Sequence, residues 1–112
     1  MMRARVGLAL VLAAGFGPWA HAADGALGAA DLSAGKALFT QGATPACAVC
    51  HTLKHAGSTG EIGPVLDEIK PTAERVATAL RNGVGLMPAY KGQLSDAQIQ
   101  LLARYVAGTA GR

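Results

Sequence analysis

The segment Cys47-Ala48-Val49-Cys50-His51 constrains this chain more than any other stretch of its sequence. Two cysteines three positions apart, with a histidine directly after the second, form the pattern of a c-type haem attachment site. The two thiols can reach the two vinyl groups of one porphyrin, and the histidine that follows can offer its imidazole to the iron. The motif therefore predicts one haem c, attached through Cys47 and Cys50 and ligated by His51.

The same cysteines allow two other interpretations, a redox dithiol and part of a zinc site. The chain has no further cysteine, so a four-thiolate zinc site is excluded, and a site built from the motif and His55 would crowd its ligands together. A thioredoxin-type dithiol would need a strand and then a helix around it, whereas residues 42–46 read as a loop. Haem attachment is the favoured interpretation.

The N-terminal residues have the layout of a secretory signal peptide. Arg3 and Arg5 precede an apolar run of 11 residues, 6–16, and the small-residue segment 20–22 follows as a cleavage site. The run is shorter than the ~20 residues that a membrane-spanning helix needs, so an uncleaved anchor is the less favoured alternative. We expect cleavage after Ala22 and a periplasmic protein with no membrane span, which suits a haem that bacteria attach outside the cytoplasmic membrane.

Removing the leader changes the net charge and the number of aromatic residues. Of the 10 basic residues, Arg3 and Arg5 leave with the leader, so 8 remain against 7 acidic ones and the formal charge falls from +3 to +1. Nucleic-acid binding is excluded, because it needs a strong basic patch. The remaining aromatics are Phe39, Tyr90 and Tyr105, a thin core for a small domain, and a buried porphyrin would supply the missing apolar bulk.

The pattern after the leader predicts three main helices in one domain. Residues 23–30 read as a flexible lead-in and residues 31–112 as the folded domain. The first helix is expected to begin near Asp31 or Ser33 and to run to about Gln41, with Gly42 as its stop. The apolar face of this helix would comprise Leu32, Gly35, Leu38 and Phe39.

The other two helices carry clearer end signals. The second is expected from about Pro71 to Asn82, before Gly83. The third opens on a capping box formed by Ser95 and Gln98 and is expected to end at Gly108. The apolar stripe of this last helix comprises Ile99, Leu102, Ala103 and Val106, with Tyr105 beside it.

Residues 52–64 are polar and glycine-rich and predict a surface loop. His55 lies only four residues after His51 and could hardly reach the opposite face of the same haem, so we interpret it as a solvated loop residue. Gly63-Pro64 predicts a rigid turn. A carbonyl there could accept the second ring N–H of His51 and orient the imidazole.

Met87 is the only methionine after the leader. A lone methionine usually fills a core, but this one is followed by Pro88 and lies in a loop between glycines and prolines. Because a haem iron needs a sixth ligand, we interpret Met87 as the distal one.

These motifs together resemble those of class I c-type cytochromes, over about residues 32–107. The resemblance implies an all-α cytochrome c fold of three main helices and loops around one covalent haem, with Gly35 and Phe39 of the first helix meeting Tyr105 of the last. It also implies that Pro64 accepts the hydrogen bond of His51 and that Leu66 contacts the porphyrin. The chain lacks the tryptophan that binds a haem propionate in mitochondrial-type relatives.

The resemblance implies a one-electron carrier with His51 and Met87 as iron ligands, and not an enzyme, because that ligand pair leaves no open coordination site. The stretch from Cys47 to Met87 is also similar to small cytochromes associated with bacterial sulfite dehydrogenases. A molybdenum sulfite dehydrogenase is thus the expected donor, and another cytochrome or a terminal oxidase the acceptor. The alternatives are a peroxidase-like haem enzyme or gas sensor with an open sixth position, and a permanent subunit of an oxidoreductase.

Overall fold

The computed structural model describes Ala14, Gly15, Gly17 and residues 26–112, so nearly all of the predicted leader lies outside the described residues. Within residues 26–112 the fold is helical, with one short antiparallel hairpin. Its elements in chain order are α1 (Ala29–Gln41), α2 (Cys47–Cys50), β1 (Thr52–Leu53), a 3₁₀ turn (Lys54–Ala56), β2 (Ser58–Thr59), α3 (Leu66–Ile69), α4 (Ala73–Asn82) and α5 (Asp96–Thr109). The three long helices are α1, α4 and α5, as the sequence predicts.

Helix α1 begins earlier than its sequence suggests. Its N-cap is Gly28, and no side chain caps it, so the prediction that Asp31 or Ser33 caps the helix is wrong. Ala29 and Ala30 fell in the expected lead-in, but alanine is the best helix former, and the helix includes both. The predicted end is confirmed, because Gly42 caps the helix after Gln41.

Helix α5 crosses α1 at a contact between Gly35 and Tyr105. A Cβ atom on Gly35 would lie 2.5 Å from the Cβ of Tyr105, so only glycine lets the two helices approach this closely. Tyr105 is fully buried, and its ring centroid lies 6.3 Å from that of Phe39. The predicted meeting of Gly35, Phe39 and Tyr105 is therefore confirmed.

Helix α4 begins at Ala73, two residues after the expected start. Thr72 is its N-cap, and the Thr72 hydroxyl accepts a hydrogen bond of 3.2 Å from the Arg75 backbone N–H. Pro71 is buried just outside the helix. A threonine that can bond the first free N–H groups takes the cap position, which the sequence interpretation had passed over.

Helix α5 has the predicted capping box, in which Ser95 and Gln98 each accept from the other's backbone N–H. Its apolar stripe is buried, as expected. The helix continues through Gly108 to Thr109, so the prediction that Gly108 ends it is wrong. A Cβ on Gly108 would lie 2.7 Å from a methyl carbon of Leu27, which shows that this glycine makes room for a packed side chain.

Residues 52–59 form a small folded unit rather than an open loop. Strands β1 and β2 pair Thr52 with Thr59 and Leu53 with Ser58, and Leu53 is fully buried. The prediction of a surface loop is therefore wrong for this part. A polar segment normally predicts an exposed loop. Here Ser58 can be buried because its hydroxyl accepts a hydrogen bond of 2.9 Å from the Leu53 N–H, and a buried polar group needs such a partner.

Asp67 of α3 ties this unit to the end of the chain. Its carboxylate accepts hydrogen bonds from the Lys54 N–H at 2.8 Å and the Gly111 N–H at 2.9 Å. The Gly111 bond is the main reason why the pKa of Asp67 lies below its usual value. None of the helices in the described part of the chain is long and apolar enough to cross a membrane.

Candidate functional site

The two cysteines lie on a single helical turn beside a cavity. Helix α2 spans Cys47–Cys50, and residues three apart on a helix lie on the same side, so both thiols line one wall of the cavity. Cys47 and Cys50 are not joined by a disulfide. The spacing in the motif is thus realised as two neighbouring thiols.

Cys47 is not an activated thiol. Burial raises its pKa to about 11, and the nearby Cys50 adds to the rise. Redox dithiols depend on a lowered pKa, because the thiolate is the reactive form. Among the residues described, no group of three or more His, Cys, Asp and Glu side chains could hold a metal ion. The raised pKa of Cys47 therefore does not support the redox dithiol interpretation.

The ring of His51 is fixed through its Nδ1 atom. Nδ1 lies 2.8 Å from the carbonyl oxygen of Pro64, the contact that the sequence predicts. A carbonyl oxygen can only accept, so Nδ1 carries the proton and Nε2 keeps the lone pair that a metal requires. The chain after the motif is thus folded back to orient this imidazole.

Gly63 allows that approach. A Cβ on this residue would lie 2.5 Å from Cε1 of His51, and the Gly63 N–H donates to the Cys50 carbonyl at 2.7 Å. Any larger residue would push the Pro64 carbonyl away from the imidazole. The Gly-Pro pair therefore acts as one device, with glycine giving space and proline giving the acceptor.

Met87 lies in a tight turn after α4. Val84 and Met87 exchange two backbone hydrogen bonds, of 3.0 and 2.9 Å, and Gly83 and Gly85 both have positive φ angles of 68° and 55°. Gly83 is also required sterically, because a Cβ there would lie 2.7 Å from the Met87 carbonyl oxygen. The turn brings the half-buried Met87 to the same cavity as His51.

Tyr90 holds the methionine turn against the cysteine segment, a role that the sequence analysis missed. Its hydroxyl donates to the Pro45 carbonyl at 2.7 Å, and its backbone N–H donates to the Leu80 carbonyl at 2.7 Å. Burial raises the pKa of Tyr90, so the phenol stays a donor. The Met-Pro-x-Tyr pattern was visible in the sequence, but nothing in it said which element the phenol would reach.

The cavity has a volume of about 480 Å³, within the range of about 300–1,000 Å³ usual for cofactor sites. Every predicted site residue lines it, namely Cys47, Cys50, His51, Pro64, Leu66 and Met87. The rest of its wall is mainly apolar and includes Phe39, Leu80, Leu102 and Val106. Two thiols, an imidazole with a free Nε2 and a thioether in an apolar cavity fit a covalently attached haem.

A helical fold around such a cavity defines a c-type cytochrome. Residues 30–106 match the family model described as cytochrome C oxidase, cbb3-type, subunit III. The chain is 39% identical to a cytochrome c6 of Picosynechococcus over 95 residues, which cover 85% of this chain and 81% of that protein. It is 31% identical to cytochrome c-551 of Halorhodospira halochloris, over 67% of this chain and 96% of that one.

A solved structure agrees with these relatives. The c-type cytochrome SorU from Sinorhizobium meliloti superposes with a TM-score of 0.71 at 48% identity, over 74% of this chain and 94% of that one. The chain belongs to the cytochrome c family, among the small class I monohaem proteins. It is therefore a small electron carrier with one covalently attached haem c, and the cofactor supplies the change between ferric and ferrous iron.

Proposed function

We propose that this protein is a periplasmic one-electron carrier whose haem iron is ligated by His51 and Met87. The observation that carries the proposal is the hydrogen bond between His51 Nδ1 and Pro64, which leaves Nε2 for the iron while Met87 lines the same cavity. With both axial positions filled by protein, electron transfer is favoured over binding of oxygen or peroxide. The protein is thus a redox partner and not itself a catalyst.

The proposal includes export and processing. Residues 1–22 are the leader, residues 23–28 join it to the domain, and the cytochrome domain begins with α1 at Ala29. Mass spectrometry of the holoprotein from a periplasmic fraction should give a chain that begins at Ala23 and carries one haem. Haem that is lost in acid-acetone would show that Cys47 and Cys50 are not its attachment points.

The electron donor in this proposal is a molybdenum sulfite dehydrogenase of the same organism, and the acceptor is another cytochrome or a terminal oxidase. The support for this donor is the similarity of the stretch from Cys47 to Met87 to cytochromes associated with such enzymes. The chain is 48% identical to SorU and 39% identical to the cytochrome c6. This difference favours a carrier similar to SorU over one similar to cytochrome c6.

The surface around the cavity suits a brief, partly apolar contact. Ile62, Val84 and Leu86 are 72%, 64% and 96% exposed, and all three also line the cavity. Because the processed chain has a formal charge of only +1, strong charge steering is not expected. Weak redox complexes typically have small interfaces, which such an apolar rim can provide.

Stopped-flow mixing tests the donor. The oxidised cytochrome is mixed with the sulfite dehydrogenase and sulfite, at low and at physiological ionic strength, and haem reduction is followed by absorbance. Reduction should be rapid and only modestly dependent on salt. Reduction no faster than that of an unrelated cytochrome would reject this donor and leave the carrier role intact.

Two matched variants test the docking surface. Leu86→Ser removes an exposed apolar side chain at the cavity rim and should slow reduction. Val49→Ser is the control, because Val49 is 58% exposed but is not among the cavity-lining residues. Equal rates for the two variants, at equal haem content, would show that the rim does not dock the donor.

A further inference from the structure

Arg75 is the one permanently charged residue among those in the described chain that line the cavity. Three other residues of α4, Val76, Ala79 and Leu80, line it as well. These positions share one face of a helix. Arg75 is therefore the first residue of the row that α4 contributes to the cavity wall. A cation therefore lies at the edge of an otherwise apolar site.

Local structure does not explain an arginine at this position. Thr72 is the N-cap of α4, which makes Arg75 the third residue of the helix. A capping box places Glu or Gln there, as Gln98 shows in α5, and the first turn of a helix favours negative side chains. Arg75 thus sits where a carboxylate or amide would stabilise the helix better.

The Arg75 guanidinium also has no ionic partner within residues 26–112. The ion pair found there joins Arg81 of the same helix to Asp96, at 4.0 Å. None of the side-chain hydrogen bonds within residues 26–112 uses the Arg75 guanidinium, whereas its backbone N–H bonds to the helix cap Thr72. Its charged group is therefore available to a ligand.

We infer that Arg75 binds a propionate carboxylate of the haem. The propionates are the anionic groups of a haem, and the remainder of the porphyrin suits the apolar wall. A carboxylate at the edge of an apolar site needs a charged partner, and the planar guanidinium can bind it through two parallel hydrogen bonds. The inference depends on the haem site described above. In this chain Arg75 would take the role of the tryptophan that binds a propionate in mitochondrial-type relatives.

The first test measures the reduction potential of the holoprotein and of Arg75→Gln. Removing a cation that neutralises a propionate should favour ferric iron. At a fixed solution potential the ferrous-to-ferric ratio should fall about threefold, which is about 28 mV because a tenfold change is 59 mV for one electron. Arg81→Gln is the matched control, since it removes the same charge from the same helix but from an arginine that pairs with Asp96.

Arg75→Lys separates a hydrogen-bonded pair from a distant charge. Lysine keeps the charge but not the two-pronged geometry, so its ferrous-to-ferric ratio should lie between those of the native protein and Arg75→Gln. Equal shifts for the Arg75→Gln and Arg81→Gln proteins, or a native ratio for Arg75→Lys, would overturn the inference.

The second test observes the contact directly. In NMR spectra of the reduced holoprotein, the side-chain protons of Arg75 should show cross-peaks to the methylene protons of one propionate, and their absence would overturn the inference. The absorption spectrum of Arg75→Gln should keep the bands of its iron ligands. Failure of the proposed ligation would appear in the native spectrum itself, so the two ideas can fail separately.

Discussion

The imidazole of His55 lies against the buried phenol of Tyr105. Its Nδ1 is 2.8 Å from the hydroxyl oxygen, and the planes of the two rings make an angle of 72°. The prediction of a solvated loop residue is therefore wrong in part, because His55 is exposed yet provides the hydrogen-bond partner of a core side chain. The contact joins the 3₁₀ turn after the haem motif to α5. It thus connects the cysteine segment to the crossing of α1 and α5.

A double-mutant cycle on His55→Ala and Tyr105→Phe should detect this bond. A hydrogen bond between neutral groups contributes about 1 kcal/mol net, so the two changes together should cost about 1 kcal/mol less than the sum of the single changes. Chemical denaturation of the holoproteins measures the free energy of unfolding of each variant. Additive costs would mean that the contact stabilises nothing.

Tyr105 should also make the fold sensitive to alkaline pH. Burial raises its pKa to about 12 from the ordinary 10, so the unfolded chain loses this proton before the folded protein does. Stability from this group is fully present below pH 10 and is lost as the pH rises from 10 through about 12.

Tyr105→Phe provides the comparison for that effect. The variant should lose less stability between pH 10 and pH 12 than the native holoprotein does, because phenylalanine does not ionise. Denaturation curves at several pH values measure the difference. A parallel decline in both proteins would assign alkaline unfolding to other groups.

Gly35 should tolerate no side chain. Alanine normally stabilises a helix by about 1 kcal/mol relative to glycine, but here its Cβ would lie 2.5 Å from Tyr105, and overpacking typically costs about 1–3 kcal/mol. We expect Gly35→Ala to lower the melting temperature and Gly35→Leu to lower it further. Ala37→Leu on the exposed side of α1 is the control and should change it little.

The sequence predicted the features of this fold that depend on chemistry close in the chain. The capping box of α5 follows from a motif of four residues, and the Gly-Pro pair indicates a turn that can offer a carbonyl to His51. The crossing of Gly35 with Tyr105 and the choice of Pro64 as the acceptor were implied by the family resemblance.

The sequence did not predict features that depend on packing between distant parts of the chain. The Tyr90 hydroxyl reaches Pro45 and Leu53 packs in a core shared with the long helices, so in both cases the partners are remote in sequence. Arg75 lines the cavity because α4 packs against α5. Ser58 has a near partner, the Leu53 N–H, but a polar sequence does not signal that its serine is buried.

Met87 provides the test that separates a carrier from a haem enzyme. If Met87 ligates the iron, the ferric protein should be low-spin, should show the weak far-red band of thioether-to-iron charge transfer, and should bind carbon monoxide poorly when reduced. Met87→Ala should abolish the band and open the sixth position. Because a thioether favours ferrous iron, the same change should lower the reduction potential, and it should permit peroxidase activity.

Leu86→Ala is the matched control for this change. Leu86 precedes Met87 in the same turn and also lines the cavity, but it has no atom that can ligate iron. The Leu86→Ala protein should therefore keep the far-red band. A high-spin ferric spectrum in the native protein, or rapid carbon monoxide binding at neutral pH, would show that Met87 only packs in the turn. The open-site enzyme or gas sensor would then be the better description of this cytochrome.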